Sequence, residues 1–317
     1  MKILIVDQVH PILTERLEEK GHHPEYRPSI GPDEIRRSIG DYQGLVIRSK
    51  MHIDRELIDR AGQLQFIVRM GSGMENIDFP YAHSRDIACM NTPEGNRDAV
   101  GEHALGLLLG LMNRMGAASQ EVKSGIWKRE ANRGTELKGK TIGIIGFGNT
   151  GSAFARKISG LDCHILACDK YKFNYGGHHV KETTMKNIFD QADVLSLHVP
   201  LTQETRYLVN NNFMEKFRKP IALINTSRGA VVNTSHLVDN LHKGKVLAAG
   251  LDVLEYESST FEELHQNQDL PGHLRELADM DQVMLTPHVA GWTHESYYRL
   301  SEIAAIKILR YTGQTTP

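Results

Sequence analysis

The chain has 317 residues, of which 40% are hydrophobic and 24% are charged, a composition that indicates a folded globular protein and excludes disordered and fibrous classes. Its 37 basic and 39 acidic side chains give a net charge of −2, which excludes the basic surface of a nucleic-acid-binding protein. No apolar run approaches the ~18 residues of a membrane span, the amino terminus lacks a signal-peptide pattern, and three cysteines are too few for a disulfide framework, so we expect a two-domain cytoplasmic protein without a membrane partner.

In the first part of the chain, short β-rich segments alternate with amphipathic ones, which is typical of parallel βαβ units. Helices are predicted at residues 12–20 and 54–62, and strands at KILIVD, GLVIRS and LQFIVRM. This first series ends near residues 88–93. A long helix then begins near Asp98 and covers residues 99–115, and its apolar character on most sides predicts that it is buried.

Residues 125–140 are polar and rich in glycine, so they are predicted to form a connection to a second series. The six strands predicted there are 141–146, 164–169, 193–199, 221–227, 246–254 and 282–289. Residues 255–281 form an unusually long connection between the last two strands, which we expect to be functional or partly helical. Residues 294–312 have helical spacing and are predicted to return to the first domain.

The sequence GFGNTG at residues 146–151 matches GxGxxG, follows the strand TIGII and opens a helix-like segment. Gly146 allows a tight turn, Gly148 lets the backbone approach a pyrophosphate, and Gly151 lets helix and strand pack closely. Asp169 ends the next strand, about 20 residues further on, where a carboxylate binds the adenosine ribose. Because this carboxylate would repel a 2′-phosphate, we predict NAD as the cofactor. A glycine-rich turn that binds no dinucleotide is the alternative.

Ionisable residues follow three later strands of the second series, at the edge where doubly wound sheets bind ligands. They are Arg228 in NTSRGAVV, Asp252 and Glu257 in GLDVLEYE, and His288 in TPHVAG. Each of them alone could be a surface charge or a structural histidine. The paired histidines His22–His23 and His178–His179 have no carboxylate or Cys partner at ligand spacing, so no metal site is predicted.

With these residues in place, the chain resembles the NAD-dependent D-2-hydroxyacid dehydrogenase family over nearly its whole length, most of all the short D-3-phosphoglycerate dehydrogenases without a regulatory domain. The matching segments are VIRS, VRMGSGMENID, NTPEGNRDAVGEHALGLLL, GTELKGKTIGIIGFGNTG, HVPLTQETRYL, NTSRGAVVN and TPHVAGWT. The resemblance implies an α/β fold of two doubly wound parallel sheets, in which a Rossmann cofactor domain is inserted into a flavodoxin-like substrate domain. The predicted substrate domain is 1–97 and 291–317, and the cofactor domain is 98–290.

The activity that the resemblance implies is hydride transfer between NAD(H) and a D-2-hydroxy or 2-oxo acid, with Arg228, Glu257 and His288 as catalytic residues. A guanidinium binds a carboxylate with two hydrogen bonds, and an imidazole, with an ordinary pKa of ~6.5, donates and accepts protons near neutrality. Glu257 would orient the imidazole and favour its charged form.

The cofactor-binding residues implied by the resemblance surround the same strand ends. They are Val100, Gly146, Gly148, Asn149, Thr150, Gly151, Asp169, His198, Pro200, Thr205, Thr226, Asp252, His288 and Gly291. Asp252 is expected on the carboxamide side of the nicotinamide, and His198 as a cofactor wall or a structural residue. Asn149 and Thr150 replace the Arg-Ile pair that is frequent in the family, so one common phosphate contact is missing and backbone amides must supply more of the binding.

Substrate-binding residues are predicted in both series. They are Arg48, Ser49, Ser72, Gly73, Arg228 and His288. The backbone amides of MGSG (70–73) could bind the substrate carboxylate, or the segment could be a simple turn. Arg48 and Lys50 could bind a phosphorylated tail, as in phosphoglycerate dehydrogenases, or form an exposed charged turn.

The substrate identity and the assembly are left open at this level. Hydroxypyruvate or glyoxylate reductase and D-lactate-type activities are alternatives, and so is an NAD(H)-sensing protein similar to the C-terminal binding protein corepressors. The active site is expected in the cleft between the domains, with closure as the gating motion. Ser258, in place of the usual Pro, raises the question of a gate over residues 258–283. The helix from Asp98 and the segment up to Lys140 are expected to pack against a second subunit as a homodimer.

Overall fold

The computed structural model describes residues 1–257 and 272–314. These residues form two compact units, one comprising 1–97 and 292–314 and the other 98–257 and 272–291. Each unit is built on one parallel sheet with helices between its strands. The predicted α/β fold class, with two doubly wound parallel sheets, is confirmed.

The first sheet is entirely parallel and has the order β2-β1-β3-β4-β5. This is the flavodoxin-like order, in which the chain switches direction between β1 and β3. The strands are β1 (Lys2–Ile5), β2 (His23–Tyr26), β3 (Gly44–Ile47), β4 (Phe66–Arg69) and β5 (Ala88–Asn91). The helices that alternate with them are α1 (Ile12–Glu19), α2 (Pro32–Ser38), α3 (Arg55–Arg60) and α4 (Phe79–Ser84).

Two of these strands complete a sheet for which the sequence predicts only three. β2 has the sequence HPEY, and its Pro24 cannot donate a backbone hydrogen bond. Because β2 is an edge strand, it pairs with β1 on one side alone and tolerates this residue. β5, at the other edge, is formed by the segment in which the first series was predicted to end.

The second sheet has the order β12-β11-β10-β9-β6-β7-β8 and is also parallel. Apart from β12, this is the Rossmann order, with the switch between β6 and β9. Its strands are β6 (Thr141–Ile145), β7 (His164–Cys168), β8 (Lys181–Glu182), β9 (Val194–Leu197), β10 (Ile221–Asn225), β11 (Val246–Leu251) and β12 (Val283–Leu285). The six predicted strands are present, and the two-residue strand β8 is added at an edge.

The predicted long helix is two helices. α5 (Arg97–Met112) is followed by α6 (Met115–Lys123), because Arg114 adopts a left-handed conformation with φ +51° that interrupts the helix. The buried leucines of α5, such as Leu107 and Leu108, pack against the core of the second sheet as predicted. The other helices of this unit are α7 (Asn149–Ile158), α8 (Met185–Gln191), α9 (Asn211–Glu215), α10 (Thr234–His242) and α11 (Gly272–Asp279).

The last helix, α12 (His294–Tyr311), belongs to the first unit. Thr293 caps its amino end by accepting a hydrogen bond from the backbone N–H of Ser296, whose hydroxyl accepts one from the Thr293 backbone N–H in return. Leu300 and Ile308 of α12 share a core with Ile3 and Ile5 of β1. Lys307 donates to the carbonyl of Asn91, the last residue of β5. α12 therefore covers one face of the first sheet.

The long connection between β11 and β12 is described only in part. Its carboxyl-terminal portion contains α11, which agrees with the expectation of a partly helical segment. Residues 258–271, including Ser258 and most of the region considered as a gate, lie outside the described residues. In the part of the chain that the structure describes, no helix combines the length and apolar character needed to cross a bilayer.

Candidate active site

The GxGxxG loop connects β6 to α7 at the switch point of the second sheet. Gly146 has φ +89°, and a Cβ atom there would lie 2.4 Å from the carbonyl oxygen of His198. A Cβ atom at Gly151 would lie 2.0 Å from the carbonyl oxygen of Gly146, so both positions require glycine. A Cβ atom at Gly148 would meet nothing within 4 Å, so this position faces open space. The amino end of α7, at Asn149 and Thr150, presents its backbone N–H groups to that space.

Asp169 follows β7 and connects its loop to the glycine loop. Its Oδ2 accepts a hydrogen bond from the backbone N–H of Phe147 at 2.6 Å, and Oδ1 accepts from Tyr171 and Lys172 at 2.9 and 3.0 Å. Burial opposes ionisation, but these three backbone bonds outweigh it and hold the pKa of Asp169 below its ordinary value. Asp169 is therefore a carboxylate near neutral pH, which suits ribose hydroxyls and disfavours a 2′-phosphate.

His198 follows β9 and lies beneath the glycine loop. Its Nε2 is 2.9 Å from the hydroxyl of Ser196, and its Nδ1 is 3.3 Å from the hydroxyl of Thr150 on α7. Burial lowers the pKa of His198 to about 3, so the ring is neutral at physiological pH. The structure thus gives His198 a supporting position under the loop and no acid–base character near neutrality.

Thr226, directly after β10, has a buried hydroxyl with no hydrogen-bond partner among residues 1–257 and 272–314. Such a hydroxyl costs free energy until a ligand satisfies it. Near the same strand ends, the Thr205 hydroxyl donates to the carbonyl of Pro200 and closes the turn after β9. Val100, another predicted cofactor residue, is buried in α5. The unsatisfied Thr226, the open space at Gly148 and the ionised Asp169 fit a dinucleotide.

The three predicted catalytic residues follow three neighbouring strands. Arg228 follows β10, Glu257 follows β11, and His288 follows β12. Nδ1 of His288 is 3.0 Å from Oε2 of Glu257, and both side chains are about three-quarters buried, with 26% and 22% of their surface exposed. The ring nitrogen on the opposite side, Nε2, is then the one that can exchange a proton with a substrate.

Asp252, only 1% exposed, anchors the loop that carries His288. Its Oδ1 accepts a hydrogen bond from the backbone N–H of Val289 at 2.9 Å, and its Oδ2 accepts from Ala290 at 2.8 Å. The hydroxyl of Thr286 donates to the same carboxylate at 2.5 Å, and the backbone N–H of His288 donates to the Asp252 carbonyl at 2.8 Å. The structure therefore shows Asp252 as the support of the His288 loop.

His103, on α5, extends this support, and the sequence analysis does not identify it. Its Nε2 lies 2.9 Å from the Thr286 hydroxyl oxygen and 3.4 Å from Oδ1 of Asp252. Because Thr286 gives its one hydroxyl proton to Asp252, the His103 Nε2–H must donate to the Thr286 oxygen. A histidine on a largely apolar helix is the available sequence signal.

Arg228 is half-buried, and its loop is shaped by Asn225, which the sequence analysis also omits. The Asn225 side chain accepts from the backbone N–H and hydroxyl of Ser227 at 3.0 and 2.7 Å and donates to the Arg228 carbonyl at 3.0 Å. The next residue, Gly229, approaches the loop after β11 so closely that a Cβ atom would lie 1.9 Å from the Leu254 carbonyl oxygen. The Arg228 loop and the Glu257 loop are therefore packed together.

Two acidic residues in the segment LEYE have different environments. Glu255 accepts hydrogen bonds from the Tyr207 hydroxyl at 2.7 Å and from the backbone N–H of Thr234, at the start of α10, at 2.9 Å. Burial opposes its ionisation, yet these bonds hold the pKa of Glu255 below its ordinary value. Glu255 is thus a structural cap, and Glu257 is the carboxylate at His288.

In the first unit, Arg48 and Ser49 follow β3, and Ser72 and Gly73 follow β4. The guanidinium carbon of Arg48 lies 4.0 Å from the centre of the Trp292 ring. The hydroxyl of Ser72 donates a hydrogen bond to the Asn96 side chain at 3.1 Å. This bond connects the turn after β4 to the residue just before α5. Among the described residues, no group of three His, Cys, Asp or Glu side chains is placed to hold a metal ion.

Comparisons with known proteins identify the family of the chain. Residues 105–290 match the family model described as the D-isomer specific 2-hydroxyacid dehydrogenase, NAD binding domain. The chain is 33% identical to a hydroxypyruvate reductase of Thermotoga maritima over 94% of this chain and 92% of that protein. It is 32% identical to a D-3-phosphoglycerate dehydrogenase of Archaeoglobus fulgidus over 98% of this chain, but it spans only 57% of that protein. A solved protein of Thermus thermophilus shares 28% identity, with a TM-score of 0.83, over 100% of this chain and 99% of that one.

Proposed function

The chain belongs to the D-isomer specific 2-hydroxyacid dehydrogenase family, an NAD-linked family, and on this basis we propose that it interconverts a D-2-hydroxy acid and the corresponding 2-oxo acid. The observation that carries the proposal is the His288–Glu257 pair, held on neighbouring strand ends with Arg228 on the next one. NAD, when bound, supplies or accepts the hydride.

The three side chains divide the remaining chemistry. Arg228 binds the substrate carboxylate and polarises the adjacent carbonyl. In the direction of reduction, the Nε2–H of His288 donates a proton to the carbonyl oxygen while the carbonyl carbon gains the hydride, and in oxidation Nε2 takes that proton back. Glu257 accepts a hydrogen bond from Nδ1–H and so fixes the orientation of the ring, which leaves Nε2 to exchange the proton.

We assign the cofactor to the second unit. The backbone amides at Gly148, Asn149 and Thr150 hold the phosphates, Asp169 holds the ribose hydroxyls, and the Thr226 hydroxyl gains a partner. Asp252, His198 and Gly146 support these contacts. Within the first unit, we propose Arg48, Ser49, Ser72 and Gly73 as substrate-binding residues.

The test is turnover with NADH and a panel of 2-oxo acids that includes glyoxylate, hydroxypyruvate, pyruvate and phosphohydroxypyruvate, followed by absorbance at the nicotinamide band. We expect rapid NADH oxidation with at least one acid. Tight NADH binding with negligible turnover on every acid would instead identify an NAD(H)-sensing protein.

We also propose that the protein is a homodimer. The support is a group of exposed apolar side chains on α6 and the segment after it: Met115, Val122, Ile126 and Trp127, with Trp127 78% exposed. Apolar side chains grouped in this way mark an interaction surface. Light scattering after gel filtration should give twice the chain mass, and Val122→Glu should shift it toward the monomer.

We also propose that the protein is located in the cytoplasm. Cys89, Cys163 and Cys168 are free thiols, and burial raises the pKa of Cys89 to about 11, which keeps it protonated and unreactive. Free thiols are stable in a reducing compartment. Cell fractionation with an antibody against the chain tests this location.

A further inference from the structure

Backbone hydrogen bonds join the loop after β9 to the loop after β10, which carries Arg228. The backbone N–H of Tyr207 donates to the carbonyl oxygen of Ala230 at 2.8 Å, and the N–H of Val209 donates to that of Val231 at 3.0 Å. Ala230 and Val231 come directly after Arg228 and Gly229 in the chain. The loop after β9 therefore lies along the segment that positions Arg228.

Tyr207 has an unusual backbone conformation at this junction. Its φ of +53° is left-handed, which is uncommon for a bulky residue. The bond to Ala230 holds it on one side, and the Asn210 side chain donates to the Tyr207 carbonyl oxygen at 2.8 Å on the other. Backbone strain of this kind persists only where neighbouring contacts maintain it, and it is concentrated at functional sites.

The side chain of Tyr207 reaches a third loop, the one after β11. Its hydroxyl donates to Oε1 of Glu255 at 2.7 Å, while Oε2 of Glu255 accepts from the backbone N–H of Thr234 at 2.9 Å. The hydrogen bond to Glu255 raises the pKa of the Tyr207 hydroxyl, which therefore remains a donor near neutral pH. Both oxygens of Glu255 are thus held by half-buried partners.

Glu255 lies within the turn that leads to Glu257. The backbone N–H of Glu257 donates to the carbonyl oxygen of Leu254 at 3.3 Å, which closes the turn around Glu255. Gly229 packs against the same carbonyl group from the loop after β10. Holding Glu255 therefore holds the backbone from which the Glu257 carboxylate reaches Nδ1 of His288.

We propose that Tyr207 and Glu255 are positioning residues, which keep the Glu257 carboxylate at Nδ1 of His288. This inference rests on the proposed function. Both residues act through Glu257, because the proton of the reaction is exchanged at Nε2 of His288. If the turn moves, Glu257 no longer orients the ring, and a misplacement of about 1 Å at a reacting group can lower the rate by up to about 10²-fold.

The kinetic test removes each half of the contact. Tyr207→Phe and Glu255→Ala should each lower kcat about tenfold and leave the Kd for NADH, measured by fluorescence titration, within about twofold. Glu255→Gln should keep most of the activity, because its amide oxygen can accept from Thr234 and its NH2 group can donate to the Tyr207 hydroxyl oxygen. Tyr81→Phe is the matched control, since it removes a hydroxyl that donates to Asp59 in the first unit, and its kcat should equal that of the wild type.

A double-mutant cycle distinguishes positioning of Glu257 from a general structural role. In the Glu257→Ala background, adding Tyr207→Phe should lower kcat by less than about twofold, because the carboxylate that Tyr207 positions is already gone. A tenfold loss in that background would overturn the inference. Wild-type kcat in both Tyr207→Phe and Glu255→Ala would overturn it as well.

Crystal structures of the variants separate this inference from the proposed activity. In Tyr207→Phe and Glu255→Ala, the distance from Nδ1 of His288 to Oε2 of Glu257 should exceed about 3.5 Å, beyond a hydrogen bond. In Glu255→Gln, it should stay at the 3.0 Å of the wild type. If the pair separates in this way but no 2-oxo acid is reduced, the proposed function fails and the positioning role stands. If a 2-oxo acid is reduced but the pair stays intact in both variants, the positioning role fails.

Discussion

Nδ1 of His288 lies 3.0 Å from Oε2 of Glu257, although 31 positions of sequence separate the two residues. His288 has φ +54°, a left-handed conformation that is uncommon for a residue with a side chain. The backbone and side chain of Asp252 hold it there. Backbone strain that is stabilised by buried hydrogen bonds is typical of functional sites, where it fixes the direction of one side chain.

Replacing His288 with Ala should lower kcat by about 10²-fold or more, because it removes the group that exchanges the proton. NADH affinity, measured by fluorescence titration, should stay within about threefold, since the proton donor contributes little to cofactor binding. His242, which pairs with Glu276 on an exposed face, provides the matched control, and His242→Ala should retain activity. Wild-type turnover in His288→Ala would remove His288 from the mechanism.

The glycine loop offers a pair of substitutions that separate folding from cofactor binding. Gly151→Ala places a methyl group 2.0 Å from the Gly146 carbonyl oxygen, so the apo protein should melt several degrees lower. At Gly148 a methyl group meets nothing within 4 Å, so Gly148→Ala should leave the apo Tm unchanged and weaken NAD binding. Differential scanning fluorimetry with and without NAD measures both effects. Equal NAD stabilisation of wild type and Gly148→Ala would argue against a phosphate at this loop.

Most of the fold could be predicted from the sequence because hydrophobic periodicity reports which segments are buried. One part that was not predicted, the strand β2, depends on its position in the sheet. β2 has no strong strand pattern, and only its place at an edge makes HPEY acceptable. The break occurs at Arg114, which is neither glycine nor proline, so the residue type does not indicate the left-handed turn found there.

The catalytic positions were predictable because each follows a strand in a recognisable motif, but their supporting contacts were not. The residue type alone does not distinguish Glu255 from Glu257; the family resemblance selects Glu257, and the tertiary structure shows Glu255 at α10 and Glu257 at His288. In the same way, the sequence indicates a free cation at Lys50, next to Arg48. Only the structure shows that the Lys50 ammonium group donates to the carbonyl oxygens of Pro28 and Ile30.

Asp169→Ala should relax the preference for NAD over NADP, because the carboxylate that disfavours a 2′-phosphate is gone. The ratio of kcat/KM for NADH to that for NADPH should fall by about tenfold or more, mainly through a higher KM for NADH. Asp162→Ala, on another exposed loop of the same unit, is a control in which the ratio should not change. A wild type that already uses NADPH as well as NADH would contradict the assignment of Asp169.

Thr286→Val tests the support of the His288 loop. The change keeps the shape but removes the hydroxyl that donates to Asp252 and accepts from His103. Leaving those buried groups unsatisfied should cost about 1–3 kcal/mol of unfolding free energy and lower kcat about tenfold. Urea unfolding and steady-state kinetics measure the two effects. Thr286→Ser retains the hydroxyl and should behave like the wild type, and equal losses in both variants would show that the methyl group matters instead.

The lowered pKa of His198 predicts how the free energy of unfolding depends on pH. Its pKa is 6.5 in the unfolded chain and about 3 in the folded one, so below pH 6.5 the unfolded state binds more protons. Stability should therefore fall as pH falls from 6.5 toward 3, by about 1.4 kcal/mol per pH unit from this group. His198→Gln removes the group and should flatten this part of the profile in urea unfolding between pH 7 and 5. An unchanged slope would mean that His198 is charged in the folded protein.

The position of α12 has a consequence for how the chain folds during synthesis. One face of the first sheet, with Ile3 and Ile5, is covered by Leu300 and Ile308, which leave the ribosome almost 300 residues later. The second unit, described over 98–257 and 272–291, is complete by then and has its own sheet and core. During translation, the second unit can close first, while apolar strand residues of the nascent first unit stay exposed until α12 emerges.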